Sequence, residues 1–203
     1  ALISGVALVN ANDKITSQIW HDFISSLDLE NNYPGFQGIG YSPVLKTTDI
    51  PSFVKEIQIH NPNYNLLSSK EREIYVPVKY IEPINNRNIK AIGYDLYSEA
   101  TRRAVLDSAR DSGMPSLSDK VILRQEIDSD VQAGILMYLP VYKKNSINSI
   151  EDRKDSIVGF VSGVFRMGDL MQNIVLKETI LDFEIFDNKK QLEENLLFKS
   201  FTE

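Results

Sequence analysis

The chain has 203 residues, of which 42% are hydrophobic and 25% are charged, and its formal net charge at pH 7 is −6. This composition is typical of a folded protein that is long enough to bury a sizeable core. The negative charge and the scattered Lys and Arg residues argue against nucleic-acid binding, and the lack of cysteine excludes disulfides, thiolate nucleophiles and cysteine-based metal sites.

The beginning of the chain, ALISGVALV, has no basic segment before it and no cleavage signal after it. We therefore expect no signal peptide, and we interpret the sequence as a fragment of a longer protein. No stretch is apolar over the length that a bilayer requires. If the parent protein is tethered to a membrane, we expect its spanning segments to lie outside this sequence.

Residues 1 to about 29 are predicted to form one long helix, because apolar residues recur at helical spacing. The members of this stripe are Ile15, Ile19, Trp20, Phe23, Ile24 and Leu27. The sequence NNYPG at residues 31–35 then ends the helix. An amphipathic helix of this length must bury its apolar stripe, either within its own domain or against a second copy.

Strands and a further helix are predicted next. Gly35–Leu45 is rich in glycine and is predicted as a strand with close backbone approaches. A second helix is expected over residues 48–61, with Pro51 tolerated in its first turn. Tyr75–Glu82 shows the alternation of a strand, and Lys90–Leu96 is predicted as its hairpin partner.

A third helix is predicted over Thr101–Arg110, with Ser98 as its cap and Gly113 at its end. The elements expected after it are the strands Val121–Gln125, Ile135–Tyr142 and Ile157–Phe165, the exposed loop Lys143–Asp155, the short helix Gly168–Val175 and the strand Ile180–Phe186. The middle strand of the first three is apolar on both faces, which predicts a central position in the sheet. This order of elements indicates an α+β fold, with a mixed or antiparallel sheet flanked by helices.

The sequence has few of the residues that catalysis or metal binding needs. Its two histidines, His21 and His60, have no evident catalytic or metal-binding partners, and we expect structural or surface roles for both. The glycines at positions 35, 38 and 40 are not followed by the Lys and the Ser or Thr of a phosphate-binding loop. We therefore predict a domain without enzymatic activity, metal or cofactor.

Acidic and aromatic residues cluster on apolar strands between residues 75 and 142. They are Tyr80, Glu82, Tyr94, Asp95, Tyr138 and Tyr142. One interpretation is a small-molecule pocket, which combines apolar walls with a few polar groups. The other is that Asp95 only caps the entry to the third helix and that the tyrosines are half-buried sheet residues. Composition alone favours the second interpretation.

Five segments, in this order along the chain, resemble one known family. They are Tyr33–Val44 (YPGFQGIGYSPV), Val78–Leu96 (VKYIEPINNRNIKAIGYDL), Ser98–Gly113 (SEATRRAVLDSARDSG), Gly134–Tyr142 (GILMYLPVY) and Gly159–Leu170 (GFVSGVFRMGDL). The sequence is similar in these segments to the CHASE domain, an extracellular sensory module of receptor histidine kinases and diguanylate cyclases. It departs from many members at Ala100, where they carry proline in the first turn of the helix.

The resemblance implies three regions. Residues 1–32 are expected to form a stalk helix, and residues 33–166 a membrane-distal, PAS-like subdomain that binds the ligand. Residues 167–203 are expected to contain a linker helix and the start of a membrane-proximal PAS-like subdomain, which we expect to be truncated before a second membrane span.

The resemblance also implies ligand-binding residues. In plant cytokinin receptors, which are similar in this region, an Asp before the third helix hydrogen-bonds the purine ligand, and the main chain of a Leu after that helix assists. The matching positions here are Asp95 and Leu117. The other residues expected at this pocket are Tyr80, Tyr94, Leu136 and Tyr138.

The function implied is that of a small-molecule sensor on the periplasmic or extracellular face of the membrane, in a receptor with a kinase or cyclase output. Two stalk helices are expected to pack together in a homodimer, and ligand binding is expected to favour one arrangement of this dimer over another. The residues expected to pack in that dimer are Ile15, Ile19, Phe23 and Leu27. Two alternatives remain open: a Cache-type sensor of amino acids or carboxylates, with Arg87 and Arg103 at its site, and a protein-interaction domain without a pocket.

Overall fold

The computed structural model describes residues 1–33, 35–127, 129, 131–143, 147–174, 182–188 and 191–200. The helices within these ranges are α1 (Leu2–Ala11), α2 (Ser17–Leu27), α3 (Leu29–Asn32), α4 (Ile50–Gln58), α5 (Ala100–Ser112), α6 (Ile150–Ser156) and α7 (Met167–Ile174). The strands are β1 (Phe36–Pro43), β2 (Leu45–Lys46), β3 (Ile74–Tyr75), β4 (Tyr80–Glu82), β5 (Ser116–Leu117), β6 (Gly134–Tyr142), β7 (Ile157–Arg166), β8 (Glu184–Phe186) and β9 (Leu196–Lys199). None of the helices described is both long and apolar enough to cross a membrane.

The main sheet has five antiparallel strands in the order β4-β1-β7-β6-β5. Two further pairs, β2 with β3 and β8 with β9, form small sheets of their own. The predicted α+β class is therefore confirmed. The central strand is β7, however, and not β6 as predicted. Both strands are covered on both faces, so an apolar sequence on both faces could not distinguish the centre from its neighbour.

The single helix predicted over residues 1–29 is wrong, because the segment forms three helices. The amide of Asn12 donates to Leu8 O at 2.8 Å and ends α1, while Thr16 Oγ1 accepts from Ile19 N at 3.2 Å and begins α2. Asp28, at a φ of 48°, separates α2 from α3. Asn, Thr and Asp offer the backbone hydrogen bonds that compete with a continuous helix, although the apolar spacing continues through them.

The N-terminal helices pack on one face of the sheet. Their buried side chains and those of the sheet form one hydrophobic cluster, whose members are Leu2, Val9, Ile15, Trp20, Ile24, Leu29, Ile39, Tyr41, Leu139, Val141 and Val161. Ile19, Phe23 and Leu27 are half-buried against the same cluster. The apolar stripe that we expected in a dimer is thus largely used within the domain.

The opposite face of the sheet is covered by α5 and by the segments before and after it. The cluster there includes Val76, Leu106, Leu136, Tyr138 and Phe160. Helix α5 ends at Gly113, whose φ of 73° is left-handed, as the sequence predicted. Its cap is Glu99, which accepts from Thr101 N at 2.8 Å, and not Ser98 as predicted.

The predicted hairpin between Tyr75–Glu82 and Lys90–Leu96 exists only in part. Residues 88–91 form a 3₁₀ helix, and antiparallel pairing is restricted to residues 76–78 with 93–96, for example from Gly93 N to Val78 O at 2.9 Å. Gly93 has a φ of 81°, and a Cβ there would lie 2.0 Å from Asn65 O. That backbone position produces a turn where a regular strand was expected.

Several other predictions can be compared with the structure. The helices predicted near residues 48–61 and 168–175 are confirmed as α4 and α7, although Val175 lies outside the described residues. The strand predicted over Val121–Gln125 is wrong, since only Val121 pairs, with Gly134. The loop predicted over Lys143–Asp155 contains α6, which begins with a capping box between Ser149 and Asp152. The strand β8 lies within the predicted Ile180–Phe186, of which 180 and 181 are outside the described residues.

Candidate functional site

A small cavity of about 30 Å³ lies between the sheet, α5 and the segment of residues 119–127, named here the 119–127 loop. It can hold about two water molecules at roughly 10–15 Å³ each. Its lining residues are Val78, Ile81, Ala91, Tyr94, Leu96, Arg102, Arg124, Gln125, Leu136, Tyr138, Ser162 and Val164. Apolar walls with a few polar groups are the usual construction of a ligand site.

The register of the sheet explains why these strand residues meet. Tyr138 on β6 pairs with Ser162 on β7, and Leu136 pairs with Val164, so all four lie on the same face. Gly40 on β1 pairs with Ser162 on its other side. A Cβ at Gly40 would lie 2.8 Å from Ser162 Oγ, so a larger residue would press on this wall of the cavity.

The hydroxyl of Tyr138 is the most unusual polar group at the cavity. The residue is 1% exposed, and its hydroxyl has no hydrogen-bond partner within the described ranges. Burial raises the pKa of Tyr138 well above its ordinary value, so the hydroxyl stays protonated and available as a donor. An acceptor atom of a ligand in the adjoining cavity would take this hydrogen bond.

Two guanidinium groups lie over the ring of Tyr94. The Cζ atom of Arg124 is 4.9 Å and that of Arg102 is 5.6 Å from the ring centroid. Arg102 is already engaged, with Glu99 Oε2 at 2.9 Å and Ile122 O at 2.9 Å. Arg124 is exposed and makes no hydrogen bond or ion pair with any residue that the structure describes. Among the described residues, its closest interaction is thus the one with the Tyr94 ring.

Asp95 is fully buried, but its carboxylate is engaged by the protein itself. Oδ1 accepts from Val76 N at 3.0 Å and from Tyr97 N at 3.2 Å, and Oδ2 accepts from Ser68 Oγ at 2.9 Å. Arg72 Nε lies 3.2 Å from Oδ2 and completes an ion pair, although its angle is not that of a hydrogen bond. Asp95 thus joins the segment before β3 to the turn before α5, and it does not line the cavity.

The remaining predicted residues lie in different places. Tyr94, Leu136 and Tyr138 line the cavity together. Tyr80 lies on the other face of the sheet, where its hydroxyl donates to Ile15 O at 3.2 Å. Leu117 is on the edge strand β5 and is 59% exposed. The cavity is therefore formed without Tyr80 and Leu117.

The arginines of the alternative Cache-type site do not meet at a cavity either. Arg87 Nη1 donates to Gln125 O at 3.3 Å, whereas Arg103, which is exposed, has Nη1 3.4 Å from Tyr97 O. His21 Nδ1 lies 3.2 Å from Glu82 Oε1, and His60 is exposed. The described residues contain no group of three His, Asp or Glu side chains that is arranged to hold a metal ion.

The family model of the CHASE domain matches residues 13–198. The chain belongs to the CHASE domain family. A hybrid signal transduction histidine kinase A from Dictyostelium discoideum is 26% identical in an alignment 193 residues long, and the match covers 84% of this chain and 8% of that protein. The resemblance inferred from the sequence is therefore confirmed, and the chain is a sensory domain of the kind found in signalling receptors.

The cavity is also lined by polar residues that the sequence did not single out, namely Arg102, Arg124, Gln125 and Ser162. One of these residues could have been recognised from the sequence pattern. Arg102 falls at helical spacing from Val105, Leu106 and Ala109, all of which are buried, so it lies on the inward face of α5. A charged residue on an apolar helix face needs a partner, and this could have marked Arg102 in advance.

The 119–127 loop is held by an ion-pair network that leads away from the cavity of the CHASE domain. Glu126 follows Gln125, and its carboxylate pairs with Arg166 at the end of β7, through Nε–Oε1 at 2.8 Å and Nη2–Oε2 at 3.2 Å. Arg166 Nη1 also donates to Asp169 on α7. The cavity wall is thereby connected to the first turn of α7 through two side-chain contacts.

Proposed function

We propose that this CHASE domain is the small-molecule sensor of a transmembrane receptor, positioned on the periplasmic or extracellular side and tethered by segments outside the chain. The ligand binds in the cavity between the sheet, α5 and the 119–127 loop, within a membrane-distal subdomain formed by residues 33–166. The receptor output is a histidine kinase or a diguanylate cyclase. The observation that supports this proposal is the buried hydroxyl of Tyr138, which has no hydrogen-bond partner among the described residues, at a cavity that Arg124 also lines.

The cavity has room for water only, so ligand binding requires the 119–127 loop to move outward. Outward movement has to release the Val121–Gly134 bridge and the Glu126–Arg166 pair, together with the bonds that Arg102 and Arg87 donate to Ile122 O and Gln125 O. A ligand that binds better to the open arrangement shifts the population towards it. Because Arg166 also holds Asp169, movement of the loop changes the contacts of α7.

The free polar groups define the chemistry of the ligand. Arg124 and the Tyr138 hydroxyl both donate hydrogen bonds, whereas the carboxylate of Asp95 is occupied by the protein. A ligand with several acceptor atoms on a flat apolar body fits these walls. Purine-like heteroaromatic compounds have that character, and they are the first class to test.

A thermal-shift screen of the chain against purines, amino acids and carboxylates tests the proposal, because a ligand that binds only the folded state raises the melting temperature. For a purine-type hit, Tyr138→Phe and Arg124→Gln should each weaken binding about tenfold or more, since each removes a donor to the ligand. In hydrogen-exchange experiments, the same hit should change protection of α7.

The two variants have matched controls. Arg103→Gln removes an exposed arginine of α5 outside the cavity and should leave binding unchanged. In the free domain, Tyr138→Phe should leave the free energy of unfolding unchanged or raise it by up to about 1 kcal/mol. The Tyr142 hydroxyl donates to Arg110 O, so Tyr142→Phe should lower the free energy of unfolding by about 1 kcal/mol. If a compound binds both cavity variants as tightly as the wild type, its binding site lies elsewhere. If no compound binds, a protein-interaction domain is favoured.

We also propose a homodimer, formed through α1. The stripe predicted for this contact is packed against the sheet of its own domain, but Ile3, Ala7 and Ala11 follow one another at helical spacing and are all exposed. Ile3 is 75% exposed. The small side chains of Ala7 and Ala11 allow the axes of two helices to approach closely.

Ala7→Glu should shift the dimer towards monomer in sedimentation equilibrium, because it places two like charges at the contact between the copies. Ser25→Glu adds the same charge to an exposed position of α2 and should leave the association unchanged. If the wild-type chain and the full receptor sediment as strict monomers with and without ligand, the dimer proposal is wrong.

A further inference from the structure

A second and larger concavity lies at the β4 edge of the sheet, on the side of the N-terminal helices. This edge groove has a volume of about 580 Å³, which falls within the range of roughly 300–1,000 Å³ that is usual for small-molecule sites. It is formed by the α1–α2 connection, α4 with the turn after it, and β4. Ile81 is the one residue that lines both this groove and the cavity beneath the 119–127 loop.

The polar centre of the edge groove contains two ammonium groups that share one carboxylate. Glu56 Oε1 lies 3.2 Å from Lys14 Nζ and 3.7 Å from Lys79 Nζ. The other carboxylate at the groove, that of Glu82, accepts from Ile84 N at 2.8 Å and lies 3.2 Å from His21 Nδ1. The two ammonium groups therefore face one carboxylate directly, and the second carboxylate of the groove is engaged by Ile84 N and His21.

Lys79 is the buried member of this group, since its side chain is only 10% exposed. Its Nζ lies 5.1 Å from the ring centroid of Tyr80 and 5.8 Å from that of Phe53. Burial lowers the pKa of Lys79, and the nearby Glu56 offsets only part of that effect. An additional anion at this position would stabilise the charged form.

Apolar side chains flank the charged centre. Ile57 and Ile81 are buried at its wall, whereas Ile59 and Ile84 are 72% and 55% exposed. An apolar ligand body would remove part of this surface from water, which favours binding. The combination of a cationic centre with an exposed apolar rim matches a molecule that has one anionic group and a hydrocarbon part.

We propose that the edge groove is a second binding site, which takes a small organic carboxylate with its anionic group at Lys79 and Lys14 and its apolar part against the isoleucines. The groove joins the N-terminal helices to the edge of the sheet, and the Tyr80 hydroxyl already bonds Ile15 O in the α1–α2 connection. An occupant bridges the same parts and strengthens their association. The site thus gives the receptor a second input, separate from the cavity beneath the 119–127 loop.

Calorimetric titration of the 203-residue chain with hexanoate, and with hexylammonium as the probe of opposite charge, tests this site. Hexanoate should bind saturably with a stoichiometry of one, and hexylammonium should not. Lys79→Met should weaken hexanoate binding about tenfold or more, because it removes the buried ammonium and keeps an apolar side chain of similar length. Lys55→Met, on the same helix as Glu56 but outside the groove, is the matched control and should leave the affinity unchanged.

A second variant acts in the opposite direction. Glu56→Gln removes the carboxylate that competes for the two ammonium groups, so it should raise the affinity for hexanoate, an effect that a loss of folded protein cannot produce. Tyr138→Phe and Arg124→Gln should leave hexanoate binding unchanged, which separates this site from the cavity. The proposal is overturned if hexanoate does not bind, if hexylammonium binds equally well, or if Lys79→Met and Lys55→Met behave alike.

Discussion

Replacing Asp95 with alanine is expected to lower the free energy of unfolding of this CHASE domain by about 3–5 kcal/mol. The change leaves the guanidinium of Arg72 without its carboxylate, and it leaves Val76 N and Tyr97 N without their acceptor in a buried environment. Denaturation in urea, followed by circular dichroism, measures the loss. The expected size exceeds that of a typical substitution, because one residue supports several buried groups.

Asp95→Asn is the informative companion variant. It keeps the shape and one acceptor oxygen but removes the charge, so its stability should lie between those of the wild type and Asp95→Ala. An unchanged midpoint for Asp95→Ala would show that the buried contacts of this carboxylate contribute little. The stability measurement also decides whether a loss of ligand binding can be interpreted. If Asp95→Ala is unfolded, its failure to bind a ligand does not show that Asp95 contacts the ligand.

Trp20→Ala is expected to destabilise the domain by about 3–5 kcal/mol, as is usual for removing a buried tryptophan. The indole is fully buried, its ring centroid lies 5.9 Å from that of Tyr41 and 5.8 Å from that of Phe23, and Nε1 lies 3.4 Å from Ile39 O. Thermal and urea unfolding of the variant measure the effect.

The Trp20 variant also distinguishes two descriptions of the N-terminal helices. If α2 is part of the domain core, Trp20→Ala lowers the stability of the whole cooperative unit, while Gln18→Ala, at an exposed position of the same helix, changes it by less than about 0.5 kcal/mol. If α2 instead behaves as a separate stalk, the sheet should unfold at the same urea concentration in Trp20→Ala as in the wild type.

The sequence was sufficient to predict elements whose ends are determined by residues at those ends. Helix α4 follows from Pro51 in its first turn, and the end of α5 follows from Gly113. The turn that replaced the second predicted strand depends on distant contacts. Asn88, for example, is fully buried and donates from Nδ2 to Gln37 O and Pro83 O, both at 2.8 Å. Gln37 lies on β1, 51 residues away along the chain, so no local pattern could predict this contact.

The site was predicted in part for a similar reason. Tyr94, Leu136 and Tyr138 belong to apolar segments with polar interruptions, and this pattern was visible in the sequence. Arg124 reaches the cavity because the neighbouring Glu126 is held by Arg166, which is 40 residues away along the chain. Asp95 was recognised as an acceptor in a dry environment, but the sequence could not show that the protein's own groups satisfy it.

Trp20 is the single tryptophan of the chain, and it is buried where α2 meets β1. Indole emission shifts to longer wavelength when the ring enters water, so fluorescence excited selectively at tryptophan reports on this one contact. An effector that loosens the N-terminal helices would redden the emission, and one that acts only beneath the 119–127 loop would not. The domain therefore carries an intrinsic optical probe that reports, without any label, whether a ligand loosens the contact between the N-terminal helices and the sheet.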